Sequence, residues 1–351
     1  IPPSSSDRVH VVIFHKGPMA LYVARQVALV AHFPNFKEGD GKKKNSKNCT
    51  KITILYNCIK HPDILKELEK DEYLCNLPKV CKCSFVNDYT ETINKQSYID
   101  IELELVAFNS DEEFENYRPK VDAGNNLEPV IIDEYILEQI TQCDPPLEID
   151  IRNASRVNMV YGVGADIDNL PPDTPNTAER YDMALSYFCY QQSSKETMAK
   201  WEGLSKGKKD SLSFQINLRK KLSNVFCNDC FSTRFKSVLD KPDDLMNQDE
   251  KELLCVVKDN IQLLAQCEHA RWNVEELILG FSPLTPEERW KDVQLFGEAR
   301  KAYRKELKNK GHHIDLCSCQ DLRRINPADR KYDYFLMLAM VKILKETAGI
   351  E

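Results

Sequence analysis

Four residues spaced for one helix face, His269, Trp272, Asn273 and Glu276, are the chain's clearest candidates for chemistry. They follow i, i+3, i+4, i+7, and at about 100° per residue they line up on one side of a helix. Ala270, Val274, Leu277, Ile278 and Phe281 form the apolar stripe that such a helix would bury. A helix that only packs and dissolves would carry plain charge on its remaining face. An imidazole, an indole, an amide and a carboxylate together suit a pocket that stacks on rings and hydrogen-bonds their edges. Each residue also has an ordinary role open to it: Trp272 as a packing aromatic, His269 as a cap or core histidine. Arg271 is a further ligand-binding candidate. Its alternative is a surface ion pair with Glu275 at i+4, worth roughly 0.2–0.5 kcal/mol.

A second candidate site lies near the N-terminus. Val9 to Phe14 reads as a buried strand, and Met19 to about His32 as a helix opened by Gly17 and Pro18. Strand, glycine, helix is the layout that presents backbone N–H groups to a phosphate. His15, Lys16, Gly17, Pro18 and Met19 are therefore the candidate cofactor-binding residues, for a nucleotide or cyclic-nucleotide type of ligand. In the G-x-G-x-x-G window, however, only Gly17 is a glycine, and Asn57 stands where an acid would grip a ribose. Ordinary NAD binding is not expected, although a differently shaped phosphate ligand still fits.

The elements that must position these residues read as two regimes. Lys51 to Tyr56, Val80 to Val86, Ile101 to Phe108 and Pro129 to Ile132 are further strands, with a helix expected over Pro62 to Tyr73. This βαβ rhythm predicts a parallel, Rossmann-like sheet in an α/β domain over 1–150. The Cys143-Asp144-Pro145-Pro146 linker opens a mostly helical connecting domain, 151–245, interrupted by turn residues from Leu170 to Pro175. Asp240 to Asp244 closes it. A mostly α-helical C-terminal domain, 246–351, follows, with start signals at Asn247-Gln248-Asp249-Glu250, Thr285-Pro286-Glu287-Glu288 and Asn326-Pro327. The first of these is expected to begin one long helix running through the His269 face.

Composition sets limits. A chain of 351 residues exceeds one ordinary core, so two or three domains are expected. Net charge is −7, which makes nucleic acid a poor partner. The runs Lys42-Lys43-Lys44 and Lys206-Gly207-Lys208-Lys209 sit among Gly, Ser and Asn and read as solvated loops. No stretch approaches the ~20 apolar residues that cross a bilayer, and Phe335 to Leu344 reads as a buried final helix. The chain begins Ile1-Pro2-Pro3, without Met, so an upstream membrane or channel segment absent from this chain remains open. The expected location is cytoplasmic, as a free protein or as the cytosolic part of a membrane protein. The thirteen cysteines include the close pairs Cys81/Cys83, Cys227/Cys230 and Cys317/Cys319. None has the partners of a zinc site, and mostly buried, reduced thiols are expected, with no metal.

The segment Glu268-His269-Ala270-Arg271-Trp272-Asn273-Val274-Glu275, with Leu279-Gly280-Phe281, His312-His313-Ile314-Asp315-Leu316-Cys317, Asp321-Leu322 and Asp329 to Asp333, resembles the RyR domain. This is the repeat module first named in ryanodine receptors and also found in bacterial proteins. The likeness covers about 250 to 347, with Phe281 in place of the usual tryptophan and an unusually basic, helical insertion before His312. The first 150 residues resemble, more loosely, the TrkA-type nucleotide-binding domain of potassium-conductance regulators, through Gly17-Pro18-Met19 and the helix running on to Asn35. The resemblance implies a ligand sensor that regulates an ion channel or an anti-phage defence effector, built as a homodimer and not as an enzyme. It adds His313 and Asp315 to the ligand-binding set. Arg323 and Arg324 could meet phosphates or simply be solvated. Three other functions stay in view. One is a NAD(P)-dependent oxidoreductase, which lacks its phosphate loop. Another is a nucleotide hydrolase using His269 and Glu276 as acid and base. The last is a structural interaction domain in which Trp272 only packs.

Overall fold

The computed structural model describes residues 1–15, 19–38, 48–62, 76–93, 96–121, 125–133, 223, 226–227, 230–231, 233–239 and 249–347. The expected helix over Pro62 to Tyr73, the linker and turns from Cys143 to Pro175, the boundary at Asp240 to Asp244 and both lysine runs lie almost wholly outside the described residues.

Six strands form a mostly parallel sheet: β1 (His10–Phe14), β2 (Thr50–Asn57), β3 (Lys79–Cys83), β4 (Val86–Ile93), β5 (Ile101–Phe108) and β6 (Val130–Ile132). Their order is β4-β3-β5-β2-β1-β6; β3 and β4 pair antiparallel, and the other neighbours pair parallel among the described residues. The register runs Ile13↔Ile54, Ile54↔Leu105 and Leu105↔Cys81. Every residue of β1 and β2 is buried, as expected for central parallel strands covered on both faces. Alternation then sorts the side chains. Val11, Ile13, Ile52 and Ile54 meet Ala20, Leu21, Ala24, Ala28 and Leu29 of α1 (Met19–Val30). Val12, Phe14 and Leu55 turn the other way, toward Phe108 of β5 and Phe114 of α2 (Asp111–Asn116). Chain order reverses between β1 and β6, so the carboxyl ends of these two strands mark the switch point of the sheet.

The strand expected over Val80 to Val86 is instead a hairpin, β3 turning into β4. The polar sequence of β4, VNDYTETI, concealed this edge strand.

The helices that follow are α3 (Glu250–Asp259), α4 (Ile261–Ile278), α5 (Pro286–Gln294), α6 (Gly297–Asn309), α7 (Cys319–Ile325) and α8 (Pro327–Thr347). The single long helix expected from Asp249 is broken at Asn260, which sits between α3 and α4 with φ −104° and ψ 10°. Asp249 caps α3 by accepting from Lys251 N, and Thr285 and Glu288 form a reciprocal capping box at α5.

α4 ties two cores together. Its Leu264 packs with Phe231, Phe235, Leu253, Val257, Met337 and Met340, while Val274, Leu277 and Ile278 join the core under α1. The apolar stripe read from sequence is the stripe that packs, with Phe281 partly buried at its end. Gly280, at φ 84°, closes α4: Phe281 N donates to Glu276 O and Gly280 N to Leu277 O. A side chain there would meet the left-handed penalty that glycine avoids. The chain then enters a two-residue bridge, β7 (Ser282–Pro283) against β8 (His312–His313), whose strands bracket α5 and α6. Among the described residues no helix is long and apolar enough to cross a membrane.

Candidate functional site

The His269 face forms, and much of it is committed to the protein's own backbone. His269 Nε2 donates to Cys317 O at 3.0 Å, and Asn273 Nδ2, one turn on, donates to the same carbonyl at 3.0 Å. Together they hold the loop from His313 to Cys319 against α4. On the other side of the ring, His269 Nδ1 faces Asp333 Oδ2 at 3.5 Å. One ring nitrogen thus meets a carbonyl and the other a carboxylate, and both partners are acceptors. That geometry calls for a proton on each nitrogen, an imidazolium. Burial pushes the ring the other way, but the hydrogen bonds to Asp333 and Cys317 prevail and raise it to about 10. Asn273 Oδ1 is buried without a hydrogen-bond partner.

Trp272 is only partly buried. Its ring stacks on His269 at 5.8 Å between centroids and meets the edge of His313 at 5.0 Å, and His313 meets Phe281 at 5.9 Å. The face is therefore a ladder of rings, with Trp272 as a half-buried rung. Asp315 N donates to His313 Nδ1 at 3.3 Å. Burial raises the Asp315 carboxyl to about 6, against the hydrogen bond from Asn326. Glu276 is buried on α4. His269, Trp272, Asn273, His313 and Asp315 lie together in the fold.

Arg271 does not join them. It lies 200° around α4 from His269, on the helix's other side. The i+4 pair with Glu275 forms, Nη1 to Oε2 at 2.7 Å, but in the interior and not at the surface: Arg271 is 1% exposed. Its Nε and Nη2 grip Glu268 at 2.9–3.0 Å, and Arg234 Nη1 reaches Glu268 Oε2 at 2.5 Å. Two guanidinium groups and two carboxylates cancel in charge, the condition under which ions survive burial. Arg234 went unread because its side chain arrives from another helical segment.

At the switch point, Lys16, Gly17 and Pro18 lie outside the described residues, and Met19 opens α1. His15 is buried at the carboxyl end of β1, 4.8 Å from the His61 ring, with neither ring nitrogen hydrogen-bonded. Burial, and then electrostatic repulsion from the neighbouring His61 ring, push it down to about 4. Asn57 is engaged in its own turn. It accepts from the N–H groups of Ile59 and Lys60 and donates to Asp111.

A cavity of about 220 Å³ opens between α4, α7 and α8, lined by Gln262, Gln266, Cys319, Arg323, Arg330, Asp333 and Tyr334, with apolar wall from Leu263 and Ala265. It continues the His269 face toward the helix N-terminus: Gln262, Gln266, His269, Asn273 and Glu276 follow one another at i+4, i+3, i+4 and i+3. Asp333 belongs to both, lining the cavity and facing His269. At the mouth, Arg323 Nη2 (3.0 Å), Arg330 Nη2 (2.5 Å) and Tyr334 Oη (2.6 Å) all donate to Gln262 Oε1. Three donors, two of them cationic, converge on one neutral amide oxygen. Extending the helical spacing N-terminally from His269 would have found both glutamines. The α7 N-terminus, by contrast, is already occupied: Glu38 accepts from Cys319 N at 2.9 Å. Among the described residues no group of three or more His, Cys, Asp or Glu is placed to hold a metal ion.

No protein-family model, curated protein or solved structure matches the chain.

Proposed function

We propose that the chain is a ligand-sensing regulatory protein whose RyR-like C-terminal domain, 246–351, binds a small nucleotide-derived anion in the cavity between α4, α7 and α8. In this reading 1–150 is a TrkA-type domain and 151–245 connects the two. One observation carries the reading: Arg323, Arg330 and Tyr334 converge on Gln262 Oε1. Two guanidinium groups aimed at one amide oxygen are better satisfied by a phosphate oxygen, which carries charge and offers further lone pairs. Gln262 and Gln266 then supply donors and acceptors for a base or ribose edge, and the Tyr334 ring a stacking surface.

The connection to regulation runs through Asp333. A ligand that contacts this carboxylate changes what His269 feels, and His269 holds the loop at Cys317. Trp272, a half-buried ring on the same face, would report or extend the site.

Thermal melting against NAD, ADP-ribose and cyclic di- and trinucleotides tests the proposal. A true ligand at a hundredfold excess over Kd stabilises by about 2.7 kcal/mol. The double charge reversal Arg323→Glu/Arg330→Glu should erase that shift and leave the ligand-free melting temperature nearly unchanged, since both side chains are at the rim. No stabilisation by any of these compounds, or a shift that survives the double reversal, rejects the site.

A further inference from the structure

The pair α5 and α6 is built rigidly and yet holds apolar side chains in water. Asp292 is fully buried and takes both arginines of α6, Arg300 Nη2 at 2.6 Å and Arg304 Nε at 2.7 Å. Arg289 donates to Leu316 O, the capping box fixes the start of α5, and the β7/β8 bridge closes the base. Against that frame Phe296 is 78% exposed, Trp290 68% and Val293 51%. They recur every third residue along one edge, from α5 into the turn before Gly297. A Cβ added at Gly297 would meet nothing within 4 Å, so the turn projects into open space. Three large apolar side chains left exposed within seven residues, two of them aromatic, mark a surface that is covered in use.

Charge says by what. Residues 286–310 hold eight Lys and Arg against five Asp and Glu, a local excess of +3 in a chain of net −7. Lys291, Lys301, Lys305, Lys308 and Lys310 are all exposed. A second copy of the chain, meeting this patch symmetrically, would oppose cations to cations. A protein partner needs a pocket shaped for the projecting Trp290 and Phe296, whereas a bilayer deforms around them. Trp and Phe beside Lys and Arg are what the headgroup region accepts. With 9 and 13 residues, α5 and α6 are too short to span a bilayer and would lie on it.

We propose that the α5–α6 hairpin docks on anionic phospholipid, with Trp290, Val293 and Phe296 dipping below the headgroups and the lysines around them meeting lipid phosphates. This is independent of the ligand cavity.

The test is flotation of the intact chain with phosphatidylglycerol vesicles and with phosphatidylcholine vesicles. Binding to the anionic vesicles, falling at least tenfold on raising the salt from 50 to 500 mM or in phosphatidylcholine, is expected. Trp290→Ser/Phe296→Ser should lose binding at least tenfold with an unchanged melting temperature. Lys301→Glu/Lys305→Glu should weaken it while leaving the apolar edge intact. Failure to float with phosphatidylglycerol, or equal flotation of the Trp290→Ser/Phe296→Ser variant, overturns the proposal. So does a self-association in sedimentation equilibrium that this variant abolishes, which would assign the edge to a second copy.

Discussion

His269 Nδ1 stands 3.5 Å from the carboxylate of Asp333, inside the packing of α4 against α8. The pair makes part of the fold's stability conditional on a proton. The folded imidazole titrates at about 10 and an unfolded one near 6.5. A group raised in the folded state stabilises fully below its unfolded pKa and loses that contribution as pH climbs through the folded one. Urea midpoints should therefore fall between about pH 6.5 and 10. His269→Gln, which can keep a donor toward Cys317 O, should lower the midpoint at pH 6 and flatten the slope above it. An unchanged slope in the variant assigns the pH dependence elsewhere.

Glu268 gives the opposite sign. Burial would raise its carboxyl, but Arg271 and Arg234 hold it down to about 2. Its contribution is present above the unfolded value near 4.5 and is lost as pH falls toward 2. At neutral pH, Glu268→Gln leaves Arg271 paired with Glu275 and takes away the carboxylate that Arg234 reaches. Breaking a buried pair in this way costs about 3–5 kcal/mol. Chemical denaturation at pH 7 should show a loss on that scale. A loss below about 1 kcal/mol would mean that water reaches the cluster.

What the sequence made legible follows from where the partners lie. β1 and β5 declared themselves because central parallel strands carry apolar runs, and Val11 to Phe14 and Leu105 to Phe108 supply them. β4 was hidden because an edge strand needs no such run. The His269 face was legible as a face, since i, i+3, i+4 spacing is a property of one helix. Its role was not, because the partner of His269 and Asn273 is the backbone carbonyl of Cys317, and any residue carries one. Arg271 was read at the surface because an i+4 ion pair looks the same wet or buried. The difference lies in Arg234, 34 residues before Glu268. The convergence on Gln262 needs α8 folded back beside α4, a tertiary fact that local spacing does not encode.

Asp292 locks α5 to α6, so Asp292→Asn should loosen that hairpin more than the rest of the fold. The amide keeps one acceptor, while the two arginines lose their countercharge. Hydrogen exchange should speed up across 286–309 with little change in β1, β2 and β5. Global destabilisation of about 1–3 kcal/mol is expected, because Arg300 and Arg304 are themselves partly exposed and can reach water. Uniform acceleration across sheet and helices would show that the hairpin does not open on its own.

His15 places an acid liability at the end of β1. Its ring is buried, held at about 4, and hydrogen-bonded at neither nitrogen. A histidine lowered in the folded state costs nothing above its unfolded pKa. As pH falls from about 6.5 toward 4 the unfolded chain takes up a proton that the folded one refuses, and stability drops. His15→Leu removes that proton and keeps an apolar body of similar size in the buried site. At pH 7.5 the variant should match the parent within about 1 kcal/mol. At pH 5 its urea midpoint should be the higher of the two. Equal midpoints at pH 5 would show that His15 takes up its proton in the folded state after all, and that water or a neighbouring acceptor reaches the ring.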